Sequence, residues 1–494
     1  MKKIIFSIFS LIILFTGNNN ELFAASPESP NILLFHADDM NWIDCEPYGN
    51  PDVITPNIAR LAREGMSFDN MHTSTAMCSP TRQQLYTGIY PVRSGAYPNH
   101  SMVYWGVKSM AHYFIDLNYR VALVGKVHHN PFESFPFEFL GGRHHDDGDG
   151  IDIHVDRIKP ILNQDENPFF VVVSSNQPHT PWNRGNVELY DESKFTIPEY
   201  MIDCQHTRTD LKKYYAEITY TDSLLGEAMK YLEEAGKADN TIVIFTSEQG
   251  SVFPFAKWTC YDLGLKTAFI VKWPGKVKAG TRNDALTQYI DVVPTLLEAA
   301  GKNPESINTG SENTDGDTGF VGLSFLDVML GKKSDHREYV YGVHTTRGIY
   351  NGSICYPIRS VRTKKYKYIV NLSSSSPFHN TASTGNQTIY SEWVKQTSDQ
   401  PEKHEFVKKY KYRPKEELYD LSLDPFELNN IADKSDLQAI KKELRNELYK
   451  WMKLQGDEGI DTEMKAMDRQ LRHNEENWKG YEEQSNQRLF RDVK

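Results

Sequence analysis

The sequence predicts an α/β protein in which a mostly parallel sheet is sandwiched by helices and followed by a smaller α+β domain. The prediction rests on continuous apolar runs of strand length, amphipathic helical stretches between them, and a change of character after residue 301. The runs are NILLFHA (31–37), YRVALVG (119–125), FFVVVSS (169–175), TIVIFTS (241–247) and TAFIVKW (267–273). They are rich in branched residues and do not alternate apolar with polar, so both faces of each strand are expected to be covered. Between them, TPNIARLAREG (55–65) reads as a helix with Thr55 as its cap and Pro56 in its first turn, and DLKKYYAEITYTDSLLGEAMKYLEEAG (210–236) as a long helix ending at a glycine stop. Ligands of such sheets collect beyond the carboxyl ends of the strands.

DVVPTLLEAAG (291–301) is the last helix before a Gly, Asn, Ser and Asp-rich stretch (302–318) that reads as a surface loop. EYVYGVHTT (338–346), SICYPIRSV (353–361) and KYKYIVNL (365–372) then read as antiparallel strands, 371–388 as a polar loop, and DLQAIKKELRNELYKWMKL (436–454) as an amphipathic helix. The expected organisation is a signal peptide at 1–25, a large α/β domain at 26–334 and a C-terminal subdomain at 335–494 with a small antiparallel sheet and a helix. The first segment carries two lysines, an apolar run at 4–16 and small residues at Ala24 and Ala25, the layout of a secretory leader. The mature chain is therefore expected to be exported, periplasmic or secreted, without stable membrane insertion.

With 494 residues, 39% apolar and 24% charged, the chain can bury a large core, which excludes a disordered or fibrous protein. The net charge of -11 and the lack of any basic stripe exclude nucleic acid as a partner. An anionic substrate must instead be drawn by a local cluster of cations. The five cysteines, Cys45, Cys78, Cys204, Cys260 and Cys355, form no CxxC pair, so neither a zinc knuckle nor a dense disulfide frame is indicated.

The strand ends carry the chemistry. The first runs into Asp38 and Asp39 and the fourth into Glu248 and Gln249, while Cys78 opens an intervening helix. These are oxygen ligands that suit a hard cation such as calcium or magnesium and not zinc. Arg82 lies one helical turn after Cys78 and is expected to point back over it. Lys126, His128 and His129 follow the second strand, His179 the third, and Lys257 lies in the loop after Gln249. The segment 144–152, HHDDGDGID, lacks the spacing of an EF-hand and reads as a turn-rich surface segment.

CSPTR (78–82), continued by LYTGIYPVRSG, resembles the C/S-x-P-S/T-R signature of the type I, formylglycine-dependent sulfatases, within the alkaline-phosphatase-like superfold. The resemblance spans roughly 30–454 and includes ELYDLSLDPFELNNIAD; the C-terminal half is most similar to heparan N-sulfatases (sulfamidases) and to bacterial polysaccharide sulfatases. It implies a large mixed sheet of the alkaline-phosphatase type. It also implies that Cys78 is oxidised to formylglycine, whose hydrated aldehyde is the nucleophile, by a formylglycine-generating or anaerobic sulfatase-maturating enzyme that reads the neighbouring proline and arginine. Asp38, Asp39, residue 78, Glu248 and Gln249 would hold one calcium ion. Arg82 and Lys126 would stabilise the ionised diol, and His128 would be the base, favoured over His129 by the K-x-H spacing. His179 would be the proton donor to the leaving group, and Lys257 would face the sulfate. Glu248 and Gln249 depart from the family's usual Asp-Asn or Asp-His by one methylene each, so that loop must retreat slightly. His100, His344 and Arg359, with Tyr97 and Arg347, are polar residues that read as exposed and as candidates for contacting a sugar or a uronate carboxylate.

The expected function is hydrolysis of sulfate esters on a sulfated polysaccharide, an algal one such as ulvan or a glycosaminoglycan. N-Sulfoglucosamine sulfohydrolysis is the alternative, and a phosphatase or phosphodiesterase of the same superfold a more distant one. A glycan-binding protein on a dead scaffold is disfavoured because nucleophile, metal and proton-donor positions are all filled. A tyrosine-phosphatase loop is excluded because its cysteine and arginine stand further apart than Cys78 and Arg82.

Overall fold

The apolar runs pair into one sheet. In a computed structural model, which describes residues 29–142, 152–164, 167–385 and 388–470, its strands are β1 (Asn31–Ala37), β2 (Met66–His72), β3 (Arg120–Gly125), β4 (Glu138–Phe139), β5 (Phe169–Ser174), β6 (Thr241–Ser247), β7 (Lys266–Lys272), β8 (Thr281–Asn283) and β9 (Thr287–Gln288). The spatial order is β4-β3-β5-β1-β6-β7-β2-β8, with β9 also on β2. From β3 through β5 and β1 to β6 the strands are parallel. β7 is antiparallel to both β6 and β2, so the sheet is mostly parallel, as expected, and mixed, as the resemblance implied. The sequence reading missed β2, whose apolar period breaks at Asp69 and Asn70, where the register shifts in a bulge between Phe68 and Met71.

Each central strand is buried on both faces, which explains its unbroken apolar sequence. Leu33, Phe35 and Ala37 of β1 join one core cluster, and Ile32 and Leu34 join the other. Each fully buried aliphatic side chain contributes roughly 1.5–3 kcal/mol. Five of the helices position the site and the two cores: α1 (Pro56–Glu64), α2 (Cys78–Thr87), α3 (Gln205–Glu234), α4 (Val292–Ala299) and α5 (Gln438–Leu454). Among them α3 covers the first face through Leu211, Tyr214, Ile218 and Leu225, and α4 the second through Val292, Val293, Leu296 and Leu297. The Thr55 side chain does not cap α1 but accepts from the Glu46 N–H at 2.9 Å. The carboxylate of Asp222 in α3 takes the cap's place, accepting from the N–H groups of Asn57 (3.0 Å) and Ile58 (2.7 Å).

A second sheet runs β10 (Val340–His344), β11 (Ile358–Arg362), β12 (Tyr366–Asn371) and β13 (Glu416–Asp420), antiparallel throughout. β13 was not expected as a strand. Val343, Val361, Val370 and Leu418 pack beneath Leu444, Leu448, Trp451 and Met452 of α5, the apolar face expected from its sequence. The segment 371–388 is more than a polar loop, because Phe378 is fully buried against Tyr356 and Tyr410. The expected signal peptide and all but Asp152 of the 144–152 segment lie outside the described residues. Among the described residues no helix is long and apolar enough to cross a membrane.

Candidate active site

Four parallel strands end side by side and deliver the candidate residues to one edge. Ala37 of β1 is in register with Ser247 of β6, so Asp38 and Asp39 leave the sheet beside Glu248 and Gln249; the Glu248 N–H donates to the Ala37 carbonyl at 2.9 Å. Gly125 of β3 is in register with Ser174 of β5, and the Lys126 N–H donates to the Ser174 carbonyl at 2.8 Å. Asp39 takes a left-handed backbone conformation, φ 55°, which lets two consecutive carboxylates turn into one site.

Cys78 is the first residue of α2, a helix buried along its whole length although most of its residues are polar. The polarity is satisfied locally. Gln84 Oε1 accepts from the Ser74 N–H (2.9 Å) and the Thr73 hydroxyl (3.0 Å), and the Thr81 hydroxyl donates to the Thr75 carbonyl (2.5 Å), tying the 73–77 loop to the helix it feeds. Gly88, φ 70°, stops the helix in the left-handed region.

Asp38, Asp39, Cys78 and Glu248, all buried, bring ligand atoms within 4.8 Å of one another. Cys78 Sγ lies 4.0 Å from Asp39 Oδ1 and 3.8 Å from Gln249 Nε2, which itself donates to Asp39 Oδ1 at 2.5 Å. Arg82 reaches Glu248 through Nε at 2.7 Å and Asp38 through Nη2 at 3.5 Å, and donates from Nη1 to the Ser174 hydroxyl. It therefore braces the Asp38 and Glu248 carboxylates. Lys126 pairs with Asp38, Lys257 with Asp39 at 2.6 Å, and His179 Nε2 lies 3.5 Å from Asp39. His179 Nδ1 donates to the Thr180 carbonyl at 2.6 Å.

The electrostatics follow from burial and charge. Burial works to raise the Asp38 carboxyl, but Lys126, a hydrogen bond with Glu248 and Arg82 hold it well below the usual range, whereas burial pushes Glu248 well above. Two carboxylates this close repel, so one takes the proton. Burial alone would lower Lys257 and Lys126, yet Asp39 and Asp38 lift each above its ordinary value. Burial, with Glu248 and Asp39 adding, pushes the Cys78 thiol up to about 12, so as a thiol it is protonated and a weak nucleophile.

The donor set fits a hard divalent cation. It is all oxygen apart from residue 78, and Asp38 Oδ1 and Gln249 Oε1 are buried acceptors without a hydrogen-bond partner among the described residues. Asp38, Asp39, Glu248 and Gln249 would hold the ion, and such a charge would let both members of the Asp38–Glu248 pair stay ionised.

The other candidates divide. His128 Nε2 meets His100 Nδ1 at 3.1 Å, so the structure joins His100 to the site. His129 packs among Tyr86, Phe135 and Phe137 as a core residue. His344 and Arg359 were expected to be exposed and are not: both are fully buried. Arg359 pairs with Asp457 and donates to the His344 carbonyl at 3.0 Å, while burial drives His344 well below its normal titration range. Tyr97 is likewise buried, its hydroxyl donating to the Thr462 carbonyl at 3.1 Å, and the Arg347 N–H donates to Glu463 at 2.9 Å. Sequence reasoning missed Ser174, which holds both Arg82 and the Lys126 carbonyl (2.8 Å); its one signal was a small polar residue closing an apolar strand.

The sulfatase family profile matches 30–302, which contains every residue of this site. The chain belongs to the sulfatase family. It is a sulfuric ester hydrolase. A second profile, the C-terminal region of N-sulphoglucosamine sulphohydrolase, matches 250–379. This sulfatase is 34% identical over 444 residues to an ulvan-active sulfatase of Formosa agariphila, covering 88% of this chain and 82% of that one. It is 27% identical to human N-sulphoglucosamine sulphohydrolase, covering 85% and 89%. Among solved structures, a protein in complex with its substrate D-glucosamine-2-N,6-O-disulfate superposes with a TM-score of 0.65 at 20% identity, covering 88% and 99%. The phosphonate monoester hydrolase of Agrobacterium radiobacter superposes with a TM-score of 0.62 at 18% identity, covering 85% and 95%. These likenesses show the fold, an alkaline-phosphatase-like mixed α/β arrangement.

Proposed function

We propose that this sulfatase is exported and removes O-sulfate esters from a sulfated polysaccharide of the ulvan type, with Cys78 matured to formylglycine and one calcium ion held by Asp38, Asp39, Glu248 and Gln249. The observation that carries the reading is the seat of Cys78 at the mouth of α2, within 4.8 Å of three buried carboxylates and flanked by buried cations. The substrate class is supported by the 34% identity to an ulvan-active sulfatase, and export by the leader-like segment at 1–25.

When formed, the hydrated aldehyde supplies an oxygen nucleophile, and a bound calcium supplies a Lewis acid beside it. The chain's own residues do the rest. Arg82, fixed by Ser174, Glu248 and Asp38, and Lys126, fixed by Asp38, stabilise negative charge at residue 78. Lys257, anchored by Asp39, faces the sulfate oxygens. The Thr180 carbonyl fixes the proton of His179 on Nδ1, leaving Nε2 to carry a second proton to the departing sugar oxygen. His128, paired with His100, takes up the proton released at residue 78. Because CSPTR is buried in the folded chain, maturation must precede folding of α2.

A second reading, hydrolysis of N-sulfoglucosamine, is favoured by the C-terminal profile match and the human relative. Incubating matured enzyme with ulvan oligosaccharides and with N-sulfoglucosamine, and measuring free sulfate, separates the two. Release from ulvan alone is expected, and release from N-sulfoglucosamine alone reverses the assignment.

A further inference from the structure

Two adjoining cavities, of about 610 and 290 Å3, open beside the C-terminal end of α5, and share Thr314, Gly456 and Glu458 as lining residues. They form one groove, and none of its lining residues belongs to the site around Cys78. Its walls contain polar side chains that the protein leaves unused. Arg93, 4% exposed, donates from Nη2 to the carbonyls of Ser311 (2.6 Å), Asp317 (3.1 Å) and Gly319 (2.9 Å), yet its Nε and Nη1 have no hydrogen-bond partner among the described residues. Gln455, 3% exposed, leaves both its amide nitrogen and its amide oxygen unpartnered. Buried polar groups of this kind are costly unless a ligand or water satisfies them.

The same groove carries aromatic surface. Tyr104 is 46% exposed, with the Arg469 guanidinium 4.0 Å over its ring, and Tyr449 is 43% exposed. Both signs of charge line the groove: Lys465 pairs with Glu458 at 2.8 Å, and Arg93 and Glu312 are both among its lining residues. A planar amide and a guanidinium that offer donors and an acceptor, set beside partly exposed tyrosine rings, match a chain of pyranose rings. Such rings present paired hydroxyls at their edges and apolar C–H groups on their faces.

The groove and the catalytic edge share one chain segment. Tyr97 and Tyr104 line it, and the segment between them carries His100, which contacts His128. We propose that this groove is a remote subsite that holds sugar units of the polysaccharide some distance from the sulfate being removed, so that the enzyme prefers long chains to short fragments. This inference rests on the polysaccharide reading given above.

The test compares Tyr104→Ala and Gln455→Leu with the parent enzyme on long ulvan oligosaccharides and on a sulfated disaccharide cut from them. On the long chains KM is expected to rise about tenfold with kcat unchanged, and on the disaccharide neither constant should move. Tyr104 is exposed, so its variant remains informative if Gln455→Leu does not fold. Calorimetric binding of the long oligosaccharides to the full-length Cys78→Ala protein, with and without Tyr104→Ala, reads the groove without turnover. Unchanged KM and unchanged binding in the Tyr104 variant overturn the subsite and leave the sulfatase reading intact. Failure of the parent enzyme to release sulfate from any ulvan fraction overturns the substrate reading itself, and failure of the Cys78→Ala protein to bind the oligosaccharides overturns the subsite with it.

Discussion

Lys257 Nζ stands 2.6 Å from Asp39 Oδ2, although the loop that carries the lysine and the strand end that carries the aspartate lie 218 residues apart. The pair links a cation to one of the oxygen ligands, so displacing either charge disturbs both the sulfate-facing and the metal-facing sides of the site.

Replacing Lys257 by Ala removes one fixed positive charge where the transition state gains negative charge. The expected loss in kcat is about 100- to 1000-fold, the cost of deleting one preorganised electrostatic donor. Steady-state sulfate release measures it, and a loss of less than tenfold would place Lys257 outside the reacting centre.

Cys78 has no use as a thiol in this pocket, where burial pushes it up to about 12. Tryptic mass spectrometry of active protein should show residue 78 with an aldehyde in place of its thiol. The Cys78→Ala protein should fold, with a calcium-free Tm close to the parent's, and release no sulfate. An unmodified cysteine in fully active material would remove the basis of the mechanism.

The buried, unpartnered oxygens Asp38 Oδ1 and Gln249 Oε1 predict that the ion adds stability as well as activity. At a free calcium concentration of 100 times Kd, one site adds about 2.7 kcal/mol. Chelation should therefore lower Tm, and calcium should restore it more effectively than zinc. In the Asp38→Asn protein the Tm should no longer respond to calcium.

Asp291 ties the segment leading into β10 to the start of α4. It pairs with Arg337 (Nε at 2.7 Å) and accepts from the N–H groups of Gln288 (3.0 Å) and Leu323 (2.8 Å). Burial alone would raise this carboxyl, but Arg337 and His336 hold it at about 2, against an ordinary 3.8. A folded-state value below the unfolded one stabilises the fold above pH 4, and the contribution disappears as pH falls toward 2. It amounts to roughly 2 kcal/mol. Asp291→Asn should destabilise the protein by about 3–5 kcal/mol at pH 7, since it leaves Arg337 buried without a counter-charge. The gap between parent and variant, measured by denaturant unfolding, should narrow by roughly 2 kcal/mol between pH 6 and pH 2. A constant gap would contradict the assignment.

Much of this molecule is legible in its sequence because two-sided burial leaves a local mark. The runs of β1, β3, β5, β6 and β7 are apolar on both faces, so their positions, and with them the rim residues that follow each strand, can be read without any partner strand. Asp38, Asp39, Lys126 and Glu248 all sit next to such marks, whereas the Cys78 motif is legible from its own residue types and spacing. What the sequence does not encode locally is who faces whom. That β7 runs antiparallel, that Asp222 of α3 caps α1, that Ser174 holds Arg82, that His100 meets His128 while His129 turns into an aromatic cluster, and that Arg359 is buried on Asp457 are outcomes of pairing between distant segments. Residue type and spacing fix a side chain's chemistry and the periodicity of its element, but its exposure and its partner depend on strand order and on the packing of the two sheets, which only the tertiary structure decides.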